Sequence, residues 1–142
     1  MIAIIGESCT GKTTLAQMLK EKLNAQVFAG KDYLRLAKNE AIAKKLFQKT
    51  LKEAVTGEHI LYVITEIQHL DLLPDGAIRI LVTAEMETIK ERFAKRMGGT
   101  LPAPVADMLE RKHGCFDAEP HDYHVVSGQT NMEKLIHEIL SR

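Results

Sequence analysis

The chain has 142 residues, of which 45% are hydrophobic and 27% charged, the proportions of an ordinary globular domain. Its 19 basic and 19 acidic residues cancel, so no overall field would draw it to nucleic acid or to anionic lipid. The longest unbroken aliphatic or aromatic run, Ile60 to Ile64, is far too short to span a bilayer. Cys9 and Cys115 are the only cysteines and make no disulfide framework, so a reducing cytoplasm is the expected compartment. Because an apolar strand pattern begins at residue 1, no signal or transit peptide is expected ahead of it.

Met1-Ile2-Ala3-Ile4-Ile5 has the β-branched, unbroken character of a buried parallel strand. Gly6-Glu7-Ser8-Cys9-Thr10-Gly11-Lys12-Thr13 follows and fits the pattern G-x-x-x-x-G-K-[ST]. Leu15, Met18, Leu19 and Leu23 then recur at helical spacing, completing the strand, glycine loop and helix that the motif requires. Two glycines allow the backbone to wrap an anion, and successive N–H groups with the helix N-terminus supply partial positive charge. The expected nucleoside triphosphate site therefore runs from Gly6 through Glu7, Ser8, Cys9, Thr10, Gly11, Lys12 and Thr13 to Thr14. Lys12 would reach the β- and γ-phosphates, and the Thr13 hydroxyl would ligate Mg²⁺. Cys9 reads as a small packing residue; exposed to the loop's positive field, it would be an oxidation-sensitive thiol.

Further strands are predicted near 25–29, 59–64, 77–83 and 122–126, with helices near 12–23, 32–38, 40–55, 86–97, 103–113 and 131–141. In the 40–55 segment Ile42, Leu46, Phe47, Thr50, Leu51 and Ala54 form one face. Met86, Ile89, Phe93 and Met97 do the same in the fourth helix, and Met132, Leu135, Ile136, Ile139 and Leu140 in the last. Strands alternating with helices predict an α/β fold, a five-stranded parallel sheet covered on both faces, formed by residues 1–142 as one domain. Functional residues are then expected just after the carboxyl ends of the strands.

After the second strand comes Ala29-Gly30-Lys31-Asp32-Tyr33-Leu34-Arg35. Here the chain resembles the P-loop kinases of small molecules, the nucleoside monophosphate kinase and shikimate kinase-like superfamily. These carry a Gly-Asp-x-Leu-Arg-like segment at this place. The resemblance implies a P-loop NTPase fold with a short lid, ATP and Mg²⁺ as cofactors, and a small-molecule phosphate acceptor. It makes Arg35 a clamp on the acceptor's anion, and Asp32 a catalytic or Mg²⁺-associated carboxylate. A planar guanidinium suits such bidentate binding. Asp32 would equally serve as an N-cap, with Arg35 on a solvated face.

Thr65-Glu66 at the end of the third strand looks like a carboxylate that holds Mg²⁺ through water. Adenylate-kinase-like chains carry Asp-Gly-Phe-Pro-Arg there, whereas this chain has Thr65-Glu66-Ile67-Gln68-His69. The missing arginine opens the range of acceptors beyond nucleoside monophosphates. Glu91-Arg92-Phe93-Ala94-Lys95-Arg96 resembles the lid-entry motif, in which Arg92 and Arg96, four apart, would act on the transferring phosphate. Arg111 resembles the returning lid arginine. Lys90 to Lys112 holds six basic and three acidic residues, charge that phosphoryl transfer uses, and Gly98–Pro104 reads as a hinge or lid tip. Residues about 30–56 would form the acceptor region and about 92–118 the lid. Ser127-Gly128-Gln129-Thr130 occupies the family's adenine position.

His113, Cys115, His121, Asp122 and His124 have some metal-ligand character, but their spacing matches no zinc site. The lack of D-x-x-G and N-K-x-D disfavours a GTPase switch. A nucleic-acid 5′-end kinase would need a basic groove that neutral charge disfavours. The expected activity is transfer of the ATP γ-phosphoryl group to a small acceptor, the alternative being an ATP-binding module without transferase activity.

Overall fold

In the computed structural model, which describes residues 1–141, the five apolar runs form one parallel sheet. The strands are β1 (Ile2–Ile5), β2 (Gln26–Ala29), β3 (Ile60–Ile64), β4 (Ile78–Thr83) and β5 (Tyr123–Val126). Their order across the sheet is β2-β3-β1-β4-β5. The central β1 pairs on both sides, Ile4 lying opposite Val63 of β3 and Ile80 of β4.

The helices are α1 (Lys12–Leu23), α2 (Glu40–Ala54), α3 (Met86–Arg96), α4 (Ala103–Lys112) and α5 (Met132–Leu140). Strand side chains alternate between faces, and both faces are covered. Ile2 and Ile4 join Leu15 and Leu19 of α1 and Ile136 and Ile139 of α5. Ala3 and Ile5 join Ala43, Phe47 and Leu51 of α2 with Tyr62 of β3. Two buried faces explain why β1 and β3 read as unbroken apolar runs rather than alternating ones. A smaller core of Cys9, Ala84, Ile89 and Leu109 seats α3 and α4 against the loop after β1.

Three predicted details differ. Segment 32–38 forms a 3₁₀ turn, Asp32–Leu36, and Ile67–Leu72 forms a second one that periodicity did not reveal. Such short turns follow from local hydrogen bonds and leave no helical stripe. On α2 the buried line is Ala43, Phe47, Leu51 and Ala54, while Ile42 is 53% and Leu46 43% exposed. Phe47 sets this rotation because its ring enters an aromatic group with Phe28, Tyr33 and Tyr62. Ile42 and Leu46, each one residue-step of about 100° behind Ala43 and Phe47, turn outward. Met97 and Leu140, at the ends of their helices, are also exposed.

Candidate active site

The loop between β1 and α1 is pinned at its start. The Gly6 N–H donates to the Ile64 carbonyl at 3.1 Å, and a Cβ on Gly6 would lie 2.3 Å from the Val82 carbonyl oxygen. Gly6→Ala is therefore expected to force the loop off β4, costing about 3 kcal/mol and weakening nucleotide binding together with it. Thermal melts and ligand titration on the same variant check this. Farther along, Cys9 (φ +63°) and Gly11 (φ +102°) take left-handed conformations, the alternation that turns backbone N–H groups toward an anion.

Lys12 is only 5% exposed. Its Nζ donates to the Glu7 carbonyl at 2.5 Å, beside a 2.9 Å bond from the Thr10 hydroxyl to the same oxygen. Burial pushes the Lys12 ammonium down to about 8, with Arg96 pushing the same way against Cys9 and Glu7. A buried cation whose hydrogen-bond partner is one neutral carbonyl fits a polyphosphate site.

This loop opens onto a cleft of about 560 Å³ at the carboxyl ends of the strands. Ser8 through Thr14 line it, with Thr65 after β3, Arg92 and Arg96 of α3, and Ser127, Gly128 and Thr130 after β5. The two arginines differ. Arg92 Nη1 donates to the Cys9 carbonyl at 3.0 Å, and its Nη2 to Ser127 Oγ at 2.9 Å. Arg96 is exposed and borders the same cleft.

Asp32 and Arg35 do not line the cleft. Asp32 Oδ2 accepts the Ala29 N–H at 2.9 Å and faces Arg35 Nη2 at 3.5 Å. Arg35, 76% exposed, also donates from Nε to the Asp32 carbonyl. The pair thus closes its own turn behind Ala29, a cleft-wall residue. Glu66 faces Lys112 at 3.9 Å and lies outside the cleft lining, so of the expected Mg²⁺ residues Thr13, Asp32 and Glu66 only Thr13 borders it. Arg111 borders a shallow depression with Asp107 and Glu110 rather than the cleft, its Nε donating to the Asp107 carbonyl.

Among 207 matching chains of solved structures, shikimate kinase from Acinetobacter baumannii in complex with shikimate is similar over 99% of this chain and 90% of its own. Its TM-score is 0.64 at 17% identity. The YorR protein of Bacillus subtilis, in complex with phosphorylated GDP, matches over 99% and 93%, with TM-score 0.63 and 20% identity. The fold is that of the shikimate-kinase-like P-loop structures. A gluconokinase from Sinorhizobium meliloti shares it over 99% and 89% of the chains, at TM-score 0.62 and 14% identity. No protein-family model and no curated protein matches the sequence.

Several contacts have no counterpart in the sequence reading. The Glu7 carboxylate, nearly buried, takes His113 Nδ1 at 3.0 Å and the Gly114 N–H at 3.1 Å. Lys90 pairs with Glu110, so α4 and the turn after it are tied to α3, to the P-loop and, through Lys112, to Glu66. Residues 106 apart (Glu7 and His113) leave no sequence-level signal, whereas Ser127, placed at the adenine position by the resemblance, does line the cleft with Gly128 and Thr130, after the carboxyl end of β5. The histidine and cysteine cluster divides. His113 engages Glu7, the His121 and His124 rings lie with centroids 5.7 Å apart, His124 Nε2 meets Thr83 Oγ1 at 2.8 Å, and Cys115 is exposed. Among the described residues no helix is long and apolar enough to cross a membrane.

Proposed function

We propose that this protein is an ATP-dependent kinase of a small, negatively charged acceptor. The observation that carries the reading is the buried Lys12 in a left-handed loop at the carboxyl ends of the strands, facing a cleft bordered by two arginines. The loop amides and Lys12 hold the phosphates and orient the γ-phosphoryl group. The Thr13 hydroxyl fits a Mg²⁺ ligand at the cleft, and the metal supplies charge neutralisation there. Arg96 brings mobile positive charge to the transferring group, and the tip at Gly98 and Gly99, both with positive φ and open space around them, lets the lid segment move.

The acceptor's charge is argued from residues 31–52. They hold seven basic side chains (Lys31, Arg35, Lys38, Lys44, Lys45, Lys49 and Lys52) against Asp32 and Glu40, and all seven are exposed. The neutral total conceals this local surplus. Exposed large hydrophobics in this stretch are aliphatic (Leu36, Ile42 and Leu46), so the aromatic platforms that stack single-stranded bases are missing from it. This favours a small anion over nucleic acid. A second reading, an ATP-binding module without transfer, is favoured by Asp32 being paired with Arg35 and Glu66 with Lys112, both carboxylates outside the cleft lining.

Radiolabelled ATP with pools of sugar acids, cyclic hydroxy acids, nucleosides, nucleotides and a 5′-hydroxyl oligonucleotide separates these readings. Label in a small acid or nucleotide is the expected result. ATP binding without label transfer to any pool selects the module. With the acceptor found, Arg35→Ala is expected to raise its KM about 10- to 100-fold with ATP affinity nearly intact, and Arg35→Lys to recover only part. Steady-state kinetics check both.

A further inference from the structure

Both arginines of α3 border the cleft, yet Arg92 spends its guanidinium on two neutral oxygens while Arg96 stays exposed. Arg92 makes no ion pair among the described residues. One oxygen is the carbonyl of Cys9, the P-loop residue held at φ +63°, where a non-glycine side chain is disfavoured. The peptide after it is trans, like every peptide bond described, so its C=O and N–H point in opposite directions. A Cys9 carbonyl turned to Arg92 leaves the Thr10 N–H turned the other way. The other oxygen, Ser127 Oγ, belongs to the turn after β5, whose backbone is anchored by the Ser127 N–H to the Thr83 carbonyl at 2.8 Å. Arg92 therefore joins the P-loop at Cys9 to the turn after β5, whose Ser127 Oγ lies 3.9 Å from where a Cβ on Gly11 would stand.

We propose that Arg92 is a positioning residue of the phosphate site. It holds the Cys9–Thr10 peptide in the orientation that presents the Thr10 N–H to the anion, and the closing charge is left to Arg96. The proposal rests on the nucleotide-binding reading above and deepens it. The planar fork matters here, because two acceptors in different loops are held by two nitrogens of one rigid group, which an ammonium cannot reproduce. The anion site is thereby formed before ligand arrives, so the loss should fall on ground-state binding. It should also be independent of the nucleobase, since the peptide faces phosphate.

Calorimetric titration of the full chain with tripolyphosphate and with MgATP tests this. Arg92→Ala is expected to weaken both ligands by the same factor, about tenfold. Arg92→Lys should remain nearly as weak, and Ser127→Ala should lose about threefold because the Cys9 bond survives. Arg96→Ala should change affinity by less than about twofold while lowering turnover. Full recovery in Arg92→Lys would show that charge alone acts and would overturn the proposal; this variant decides even where Arg92→Ala does not fold. Loss of MgATP with unchanged tripolyphosphate would overturn it too, moving Arg92 to the base or ribose. A lower melting temperature with unchanged affinities would make Arg92 merely structural. Wild-type protein that binds neither ligand would remove the phosphate site itself, and this proposal with it.

Discussion

Lys12→Ala is expected to lower turnover about 10²- to 10³-fold, the usual consequence of removing one preorganised charge from a transition state. It should weaken nucleotide binding as well, since the lost partner is charged. The variant's stability should not fall with its activity. Burial brings the Lys12 ammonium down to about 8 from its ordinary 10.5, so between those values the unfolded chain holds more protons than the folded one. Stability contributed by this group accordingly rises with pH across that window, and below it the charged side chain is a cost to the fold. An anion seated on Lys12 reverses the preference and draws the proton back. Ligand binding above about pH 8 should therefore take up a proton, and affinity should fall about tenfold per pH unit there. Calorimetry in buffers of different ionisation enthalpy counts that proton directly. Unchanged affinity and turnover in Lys12→Ala would end the P-loop assignment.

Phe47→Ala should give the largest loss of stability, about 3–5 kcal/mol, against a total of about 5–15 kcal/mol for such a domain. Phe47 is fully buried, with ring centroids 4.9 Å from Phe28, 5.4 Å from Tyr33 and 4.8 Å from Tyr62. Its removal would lower the melting temperature by about 10–15 °C. The position of the damage gives a second readout. Tyr33 lies in the 3₁₀ turn that carries Asp32 and Arg35, and the Tyr62 hydroxyl donates to the Gly30 carbonyl at 2.8 Å, so the proposed acceptor side loses direct ring contacts, while the P-loop is reached only through Ala3 and Ile5 of β1. Acceptor KM should rise more than ATP affinity falls. A loss below about 1 kcal/mol, comparable to a volume-conserving swap, would show that the cluster does not seat α2.

Charge is the plainest case of a property misjudged when summed. A total of zero set the chain apart from polyanion binders, yet the exposed lysines of residues 31–52 stand on one stretch of the fold. The arginines of α3 illustrate the reverse. Spacing of four put Arg92 and Arg96 on one helical face, and both border the cleft. It also divides them, because Arg92 is close enough to two loops to be captured by both.

What the sequence alone determined is whatever rests on local chemistry. Met1–Ile5, Gly6–Thr13 and the Leu15–Leu23 stripe specify strand, loop and helix through side-chain period and glycine freedom, and the same periods marked the five strands and main helices. Tertiary structure decided what depends on which distant groups meet. It set the order β2-β3-β1-β4-β5, the rotation of α2 about Phe47, the capture of Arg92 by Cys9 and Ser127, and the grip of Glu7 on His113 and Gly114. A hydrophobic period records only how a segment meets a generic apolar surface. The partner of a particular guanidinium or carboxylate is chosen by the whole packed arrangement, in which every buried polar group needs a partner and few are within reach.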